Sequence, residues 1–197
     1  MTRFSQRFRL TGGSEANSVN KWFGGGFAAL SGAFESIQTV TVGSGGASFV
    51  EFTSIPATYT HLQVRFATIS SGAASSCFTY INGDTTQANY ECHVLYGEGG
   101  GSSGAGSYPN SYLPQFLGGA KTTSPGVYIL DVLDYANTNK NKTLRALGGY
   151  DSNGSGYISL DTLVWLNTSA ITSLKFSPNS NTWSEYAKVA LYGIKGA

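Results

Sequence analysis

The sequence predicts an all-β fold, a jelly-roll-type antiparallel β-sandwich preceded by an extended N-terminal arm. Three observations point there. From residue 36 to residue 197, short segments of alternating apolar and polar residues follow one another, separated by turn residues. About nine or ten such segments can be drawn, which is the pattern of a sandwich or barrel. Helical periodicity is weak throughout, and residues 86–91 make one turn at most. Residues 1–35 are of another kind: basic, rich in Gly and Ser, and without periodicity. A jelly roll divides such strands between two packed sheets; an immunoglobulin-like sandwich is the alternative. No internal repeat is present, which argues against a propeller or β-helix.

The elements follow in order. Ile37–Val42 alternates as a half-buried strand, and Gly43-Ser44-Gly45-Gly46 turns the chain. Phe49, Val50 and Phe52 mark a second strand that closes at Ile55-Pro56, because proline removes a ladder donor. Leu62, Val64 and Phe66 share one face of a third. Phe78 and Tyr80 lead into Asn82-Gly83-Asp84, a tight turn in which Asn-Gly supplies positive φ. Val94-Leu95-Tyr96 is a further short strand. Residues 97–111 are low in complexity and show no strand pattern, so the stretch to 112 is expected to be a surface-contact loop, with Tyr96, Tyr108 and Tyr112 as its contact residues. Val127–Leu133 is almost continuously apolar and predicts a central strand buried on both faces. Residues 134–140 form a polar turn, and Thr143, Arg145 and Leu147 lie on the return strand. Strands over 157–166, 171–176 and 189–194 complete the series.

Composition narrows the function classes. The 197 residues are 41% hydrophobic and only 12% charged, with 26 Gly, 12 Tyr and 11 Phe. Such low charge leaves room for broad neutral contacts between subunits. Within a net charge of +1, residues 1–33 hold Arg3, Arg7, Arg9 and Lys21 against Glu15, and the remainder is net acidic. Four cations are too few to indicate a nucleic-acid partner. No stretch approaches the length of an apolar membrane span, and arginines interrupt any signal-peptide core, so folding in a cytoplasm is expected. Cys77 and Cys92 are then expected as buried reduced thiols, with a disulfide between neighbouring segments as the alternative. In the arm, Phe4, Phe8, Trp22, Phe23 and Phe27 are too many large side chains for a plain linker. With Arg3, Arg7 and Arg9 they form the expected partner-binding set.

Residues for chemistry are sparse. The two histidines, His61 and His93, lack a nucleophile-elbow motif, and His93 and Cys92 are adjacent strand residues that point to opposite faces. The two Cys and two His lack the close pairs of a zinc site. Asp151-Ser152-Asn153-Gly154 departs from a calcium loop at its later positions and reads as a hairpin turn. Asp131 and Asp134 read as strand-end polar residues, and the Gly-rich stretch 97–106 lacks the Lys-Ser/Thr ending of a phosphate loop. No catalytic, cofactor-binding or metal-binding residue is assigned.

Six ordered blocks carry a family resemblance. They are Phe34-Glu35-Ser36-Ile37 running into Thr39-Val40-Thr41-Val42; Ser54-Ile55-Pro56-Ala57-Thr58-Tyr59-Thr60-His61-Leu62-Gln63-Val64-Arg65; Asn82-Gly83-Asp84-Thr85 with Asn89-Tyr90; Asp131–Lys140; Lys142-Thr143-Leu144-Arg145-Ala146-Leu147; and Ala190-Leu191-Tyr192-Gly193-Ile194-Lys195. Over residues 34–196 the chain resembles tailed-bacteriophage virion proteins described as head decoration, head fibre or minor tail proteins. The resemblance implies a non-enzymatic β-sandwich on the surface of a phage particle, a homotrimer with no cofactor. Its implied partners are the major capsid protein or tail proteins. Two roles follow as expectations: a capsid decoration (cement) protein attached through the arm, or a tail-fibre or tail-tip module that binds host glycan through the 97–112 loop.

Overall fold

The computed structural model describes residues 32–72, 76–109, 115–116 and 124–196. Twelve strands make up the domain: β1 (Phe34–Thr41), β2 (Val50–Phe52), β3 (His61–Thr68), β4 (Cys77–Ile81), β5 (Tyr90–Glu98), β6 (Ser103–Pro109), β7 (Gln115–Phe116), β8 (Gly126–Leu133), β9 (Lys142–Asp151), β10 (Gly156–Trp165), β11 (Leu174–Pro178) and β12 (Lys188–Ile194). Among the described residues one 3-10 turn, Gln87–Asn89, stands within 86–91, where one helical turn at most is expected.

The strands form two antiparallel sheets, ordered β1-β12-β3-β8-β9-β10-β5-β6 and β2-β11-β4-β7. Taken alone, β1-β12-β3-β8 and β2-β11-β4-β7 are the two halves of a jelly roll. Along the chain these strands cross from sheet to sheet at every step except β4 to β7. Two hairpins, β5–β6 and β9–β10, are added beside β8 and widen one sheet to eight strands. The expected fold class is therefore the observed one, with one sheet twice the width of the other.

The core lies between the sheets and is built from period-two alternation. Leu62, Val64 and Phe66 of β3, Leu130 and Val132 of β8 and Val189 and Leu191 of β12 face Phe52, Ile81, Leu174 and Phe176 of the smaller sheet, all buried. Phe66 meets Phe176 edge-on at 5.0 Å between ring centroids, joining the layers. Trp183 is buried outside any long strand, bridging Ala47 and Ser70.

One end of the sandwich is tied by polar contacts, and the blocks that carry the resemblance meet there. Glu35 accepts hydrogen bonds from Tyr59 (3.1 Å) and Lys195 (2.8 Å). The Tyr135 hydroxyl donates to the Pro56 carbonyl, and Asp134 N donates to His61 Nδ1 at 3.0 Å. Asn82 and Gly83 both have positive φ, as the Asn-Gly signal predicts, and Asn82 Oδ1 accepts from the backbone of Thr172 and Ser173 at 2.8 and 3.0 Å. Lys142 is fully buried, and its ammonium donates to the carbonyls of Asn137, Lys140 and Thr168 at 2.6–2.9 Å. These residues close turns onto one another and hold that end of the fold shut.

Two expectations about elements need correction. Residues 97–111 are not one long loop: β5 continues to Glu98, and β6 pairs with it from Ser103 to Pro109. The ladder uses backbone groups alone, so a run of Ser, Gly and Ala joins a sheet edge without any side-chain alternation to announce it. The second correction concerns β8 and leads to the site.

Candidate functional site

β8 is central in its sheet but buried on one face only. Tyr128, Leu130 and Val132 point into the core, while Val127, Ile129 and Leu133 are exposed on the other side. The apolar run was expected to be covered twice; among the described residues nothing packs over its outer side. The exposure continues across the added hairpins. Ile129 of β8 stands opposite Leu147 of β9, Leu147 opposite Leu160 of β10, and Leu160 opposite Leu95 of β5. One residue pair along, the next row runs Val127, Gly149, Ile158, Gly97. Exposure is 61% for Ile158, 59% for Val127, 57% for Leu95 and 53% for Leu147, with Ile129 and Leu160 at 42% and 40%.

The face has relief as well as area. Gly149 and Gly97 flank Ile158 on both sides, so ridge and trough alternate along that row at the strand spacing of about 4.8 Å. Leu95, Gly97, Leu147, Ile158 and Leu160 line a depression of about 370 Å³. Gly149 is required by the backbone: a Cβ there would lie 2.1 Å from the Tyr157 carbonyl oxygen.

Polar groups bound the patch on two sides. In the row beyond Ile129, Asp131 accepts from Arg145 at 2.8 Å and from Gln63 at 2.9 Å. His93 and Thr162 continue that row. On β3, Arg65 stands opposite Ile129 and carries its guanidinium 5.0 Å from the Phe34 ring and 5.2 Å from Tyr192, which stack on each other at 4.8 Å. The charges nearest the apolar centre are thus already engaged within the chain.

Arg3, Phe4, Arg7, Phe8, Arg9, Trp22, Phe23 and Phe27 lie outside the described residues, as does Tyr112, and of Tyr108 only the backbone, within β6, is described. Tyr96 faces the inner side of the sheet, partly buried, with its ring stacked on Tyr157 at 5.4 Å. It packs against the core and remains partly exposed. A second depression, of about 430 Å³, sits where the β5–β6 and β9–β10 turns adjoin; Glu98, Tyr150, Asp151, Ser155 and Tyr157 supply its polar groups.

The remaining chemistry-bearing residues are structural in placement. Cys77 and Cys92 are buried and are not joined in a disulfide. Burial pushes both thiols up, Cys92 to about 12 with the Asp161 charge adding to the effect. His93 is on the outer face and Cys92 on the inner, so the pair does not converge. Asn153 and Gly154 both have positive φ, and Asp151 accepts from Asn153 N at 2.7 Å, which is a hairpin turn. No group of three or more His, Cys, Asp or Glu among the described residues is arranged to hold a metal ion.

Leu95, Leu147, Ile158 and Leu160 were passed over in the sequence because each sits in a strand where an apolar residue is unremarked. The available signal was the failure of alternation, in Val127–Leu133 and in Leu144-Arg145-Ala146-Leu147. No protein-family model matches the chain, and no curated protein matches it either.

Proposed function

We propose that this chain is a structural protein of a phage particle: a homotrimeric decoration, or cement, protein on the virion surface. Its jelly roll packs against its own copies, and the arm, with Arg3, Phe4, Arg7, Phe8, Arg9, Trp22, Phe23 and Phe27, attaches it to the major capsid protein. The observation that carries the reading is the outer face of the wide sheet. That face carries a broad, uncharged apolar platform, which suits burial against another protein better than it suits turnover of a small molecule. The six-block resemblance over residues 34–196 and the jelly-roll strand order support the same conclusion. Several weak arms engaged at once then give high avidity.

The test is the copy number of this chain per purified particle, by quantitative mass spectrometry against the major shell protein. One trimer per local threefold position is the expected result. Absence from particles overturns the proposal. A few trimers per particle moves the protein to the tail. That second reading, a tail module that binds host glycan, is favoured by the depression at the hairpin tips. There two carboxylates, Glu98 and Asp151, and two tyrosines offer hydroxyl-accepting and ring-stacking groups. Binding of the purified chain to host surface polysaccharide, lost in Asp151→Ala, checks it.

A further inference from the structure

We infer that the outer face formed by Leu95, Val127, Ile129, Leu147, Ile158 and Leu160 is the contact between copies of this chain, with the patches of the trimer meeting at its axis. The inference rests on the self-assembling part of the reading above and names its surface.

Area is the first ground. At the exposures given, the six side chains present on the order of 500 Å² of apolar surface, near the upper end of what a stable monomer leaves bare. The layout is that of an interface, with an apolar centre on four adjacent strands and a rim of Arg65, Asp131, Arg145 and His93.

Charge selects the occupant. A symmetry axis brings identical residues together, so any charge at its centre would meet its own kind. None of the six side chains is charged. Arg145 and Asp131 neutralise each other at 2.8 Å, and Arg65 is stacked on two rings. The apolar centre therefore offers a foreign partner no charge to recognise, and it offers its own copies nothing that repels. Relief adds to this: the Ile158 ridge and the Gly97 and Gly149 troughs recur in every copy, so ridges of one can seat in troughs of the next.

The full-length chain is weighed by light scattering across about 1–100 µM, alone and as Leu147→Asp/Leu160→Asp. The expected wild-type mass is three times the 20.7 kDa of one chain, falling to one chain in the variant, with association at least ~100-fold weaker. A wild type that stays monomeric, or a variant that stays trimeric, overturns the inference. A dimer dispersed by the variant keeps the face and overturns the trimer.

Thiol labelling keeps the test open should the double variant fail to fold. Cys77 and Cys92 are buried and give a silent background. Ile158→Cys is expected to label at least ~10-fold more slowly at high protein concentration than at low, while Glu51→Cys on β2 labels at one rate throughout. Equal rates at Ile158→Cys overturn the inference. So does slow labelling in a chain that is monomeric, which would assign the face to the chain's own arm. A trimer held by this face in a protein absent from particles leaves the inference standing and removes the virion reading; particle-bound protein that is monomeric in solution does the reverse.

Discussion

Asp84 shows how one side chain closes a turn onto the core. Its carboxylate accepts from Trp165 Nε1 at 2.8 Å, from Asn89 Nδ2 at 2.8 Å and from Thr86 N at 2.9 Å. Burial pushes the carboxyl up, but these donors together outweigh it and hold the pKa below the ordinary carboxylate value. A depressed folded-state pKa stabilises the fold above the unfolded pKa, and that contribution is lost as pH falls through the folded value. Below pH ~4 the wild type should therefore lose urea resistance faster than Asp84→Asn does. At neutral pH, Asp84→Ala should cost about 2 kcal/mol in urea unfolding, because the Trp165 indole N–H loses its acceptor. The buried thiols make a second residue-scale prediction. With both pushed up by burial, Cys77 and Cys92 should resist a thiol reagent at pH 8, their labelling should track global unfolding, and reductant should leave the melting temperature unchanged.

At the scale of elements, the added β9–β10 hairpin depends on glycine for backbone approach. A Cβ at Gly149 would meet the Tyr157 carbonyl at 2.1 Å, and one at Gly148 would meet the Tyr128 ring at the same distance. The first obstacle is backbone of a paired strand and has nowhere to go. Gly149→Val is expected to destabilise by at least ~2 kcal/mol in chemical unfolding, whereas Gly100→Ala in the β5–β6 turn, where a Cβ meets nothing, should stay within ~0.5 kcal/mol. The Asn82-Gly83 and Asn153-Gly154 turns were legible because positive φ selects those residues. β6 was not, since Ser, Gly and Ala in a ladder look like Ser, Gly and Ala in a loop.

At the scale of the molecule, assembly and stability are linked. If copies join through the outer sheet face, only the folded chain associates, and the melting temperature must rise with protein concentration. Differential scanning calorimetry over a hundredfold range of wild-type concentration should show that rise, and Leu147→Asp/Leu160→Asp should show none. A flat wild-type curve would count against self-association by any face. The face itself lies mostly on the two hairpins added to the jelly roll, so the common fold and the particular surface come from separate parts of the chain.

The amino-acid sequence determined the fold class, because period-two alternation and Asn-Gly turns are local signals that need no knowledge of partners in space. Leu62-Val64-Phe66 and Asn82-Gly83 were each sufficient in their own segments. The tertiary structure alone decided what the alternation left over would mean. Val127, Ile129, Leu147, Ile158, Leu160 and Leu95 are scattered over 95–160, and only sheet register lays four of them in one row. Register is a long-range property, set by which strands meet and in what order. An exposed face assembled from β8, β9, β10 and β5 shows in the sequence only as broken alternation in β8 and β9, and no local signal joins the four strands.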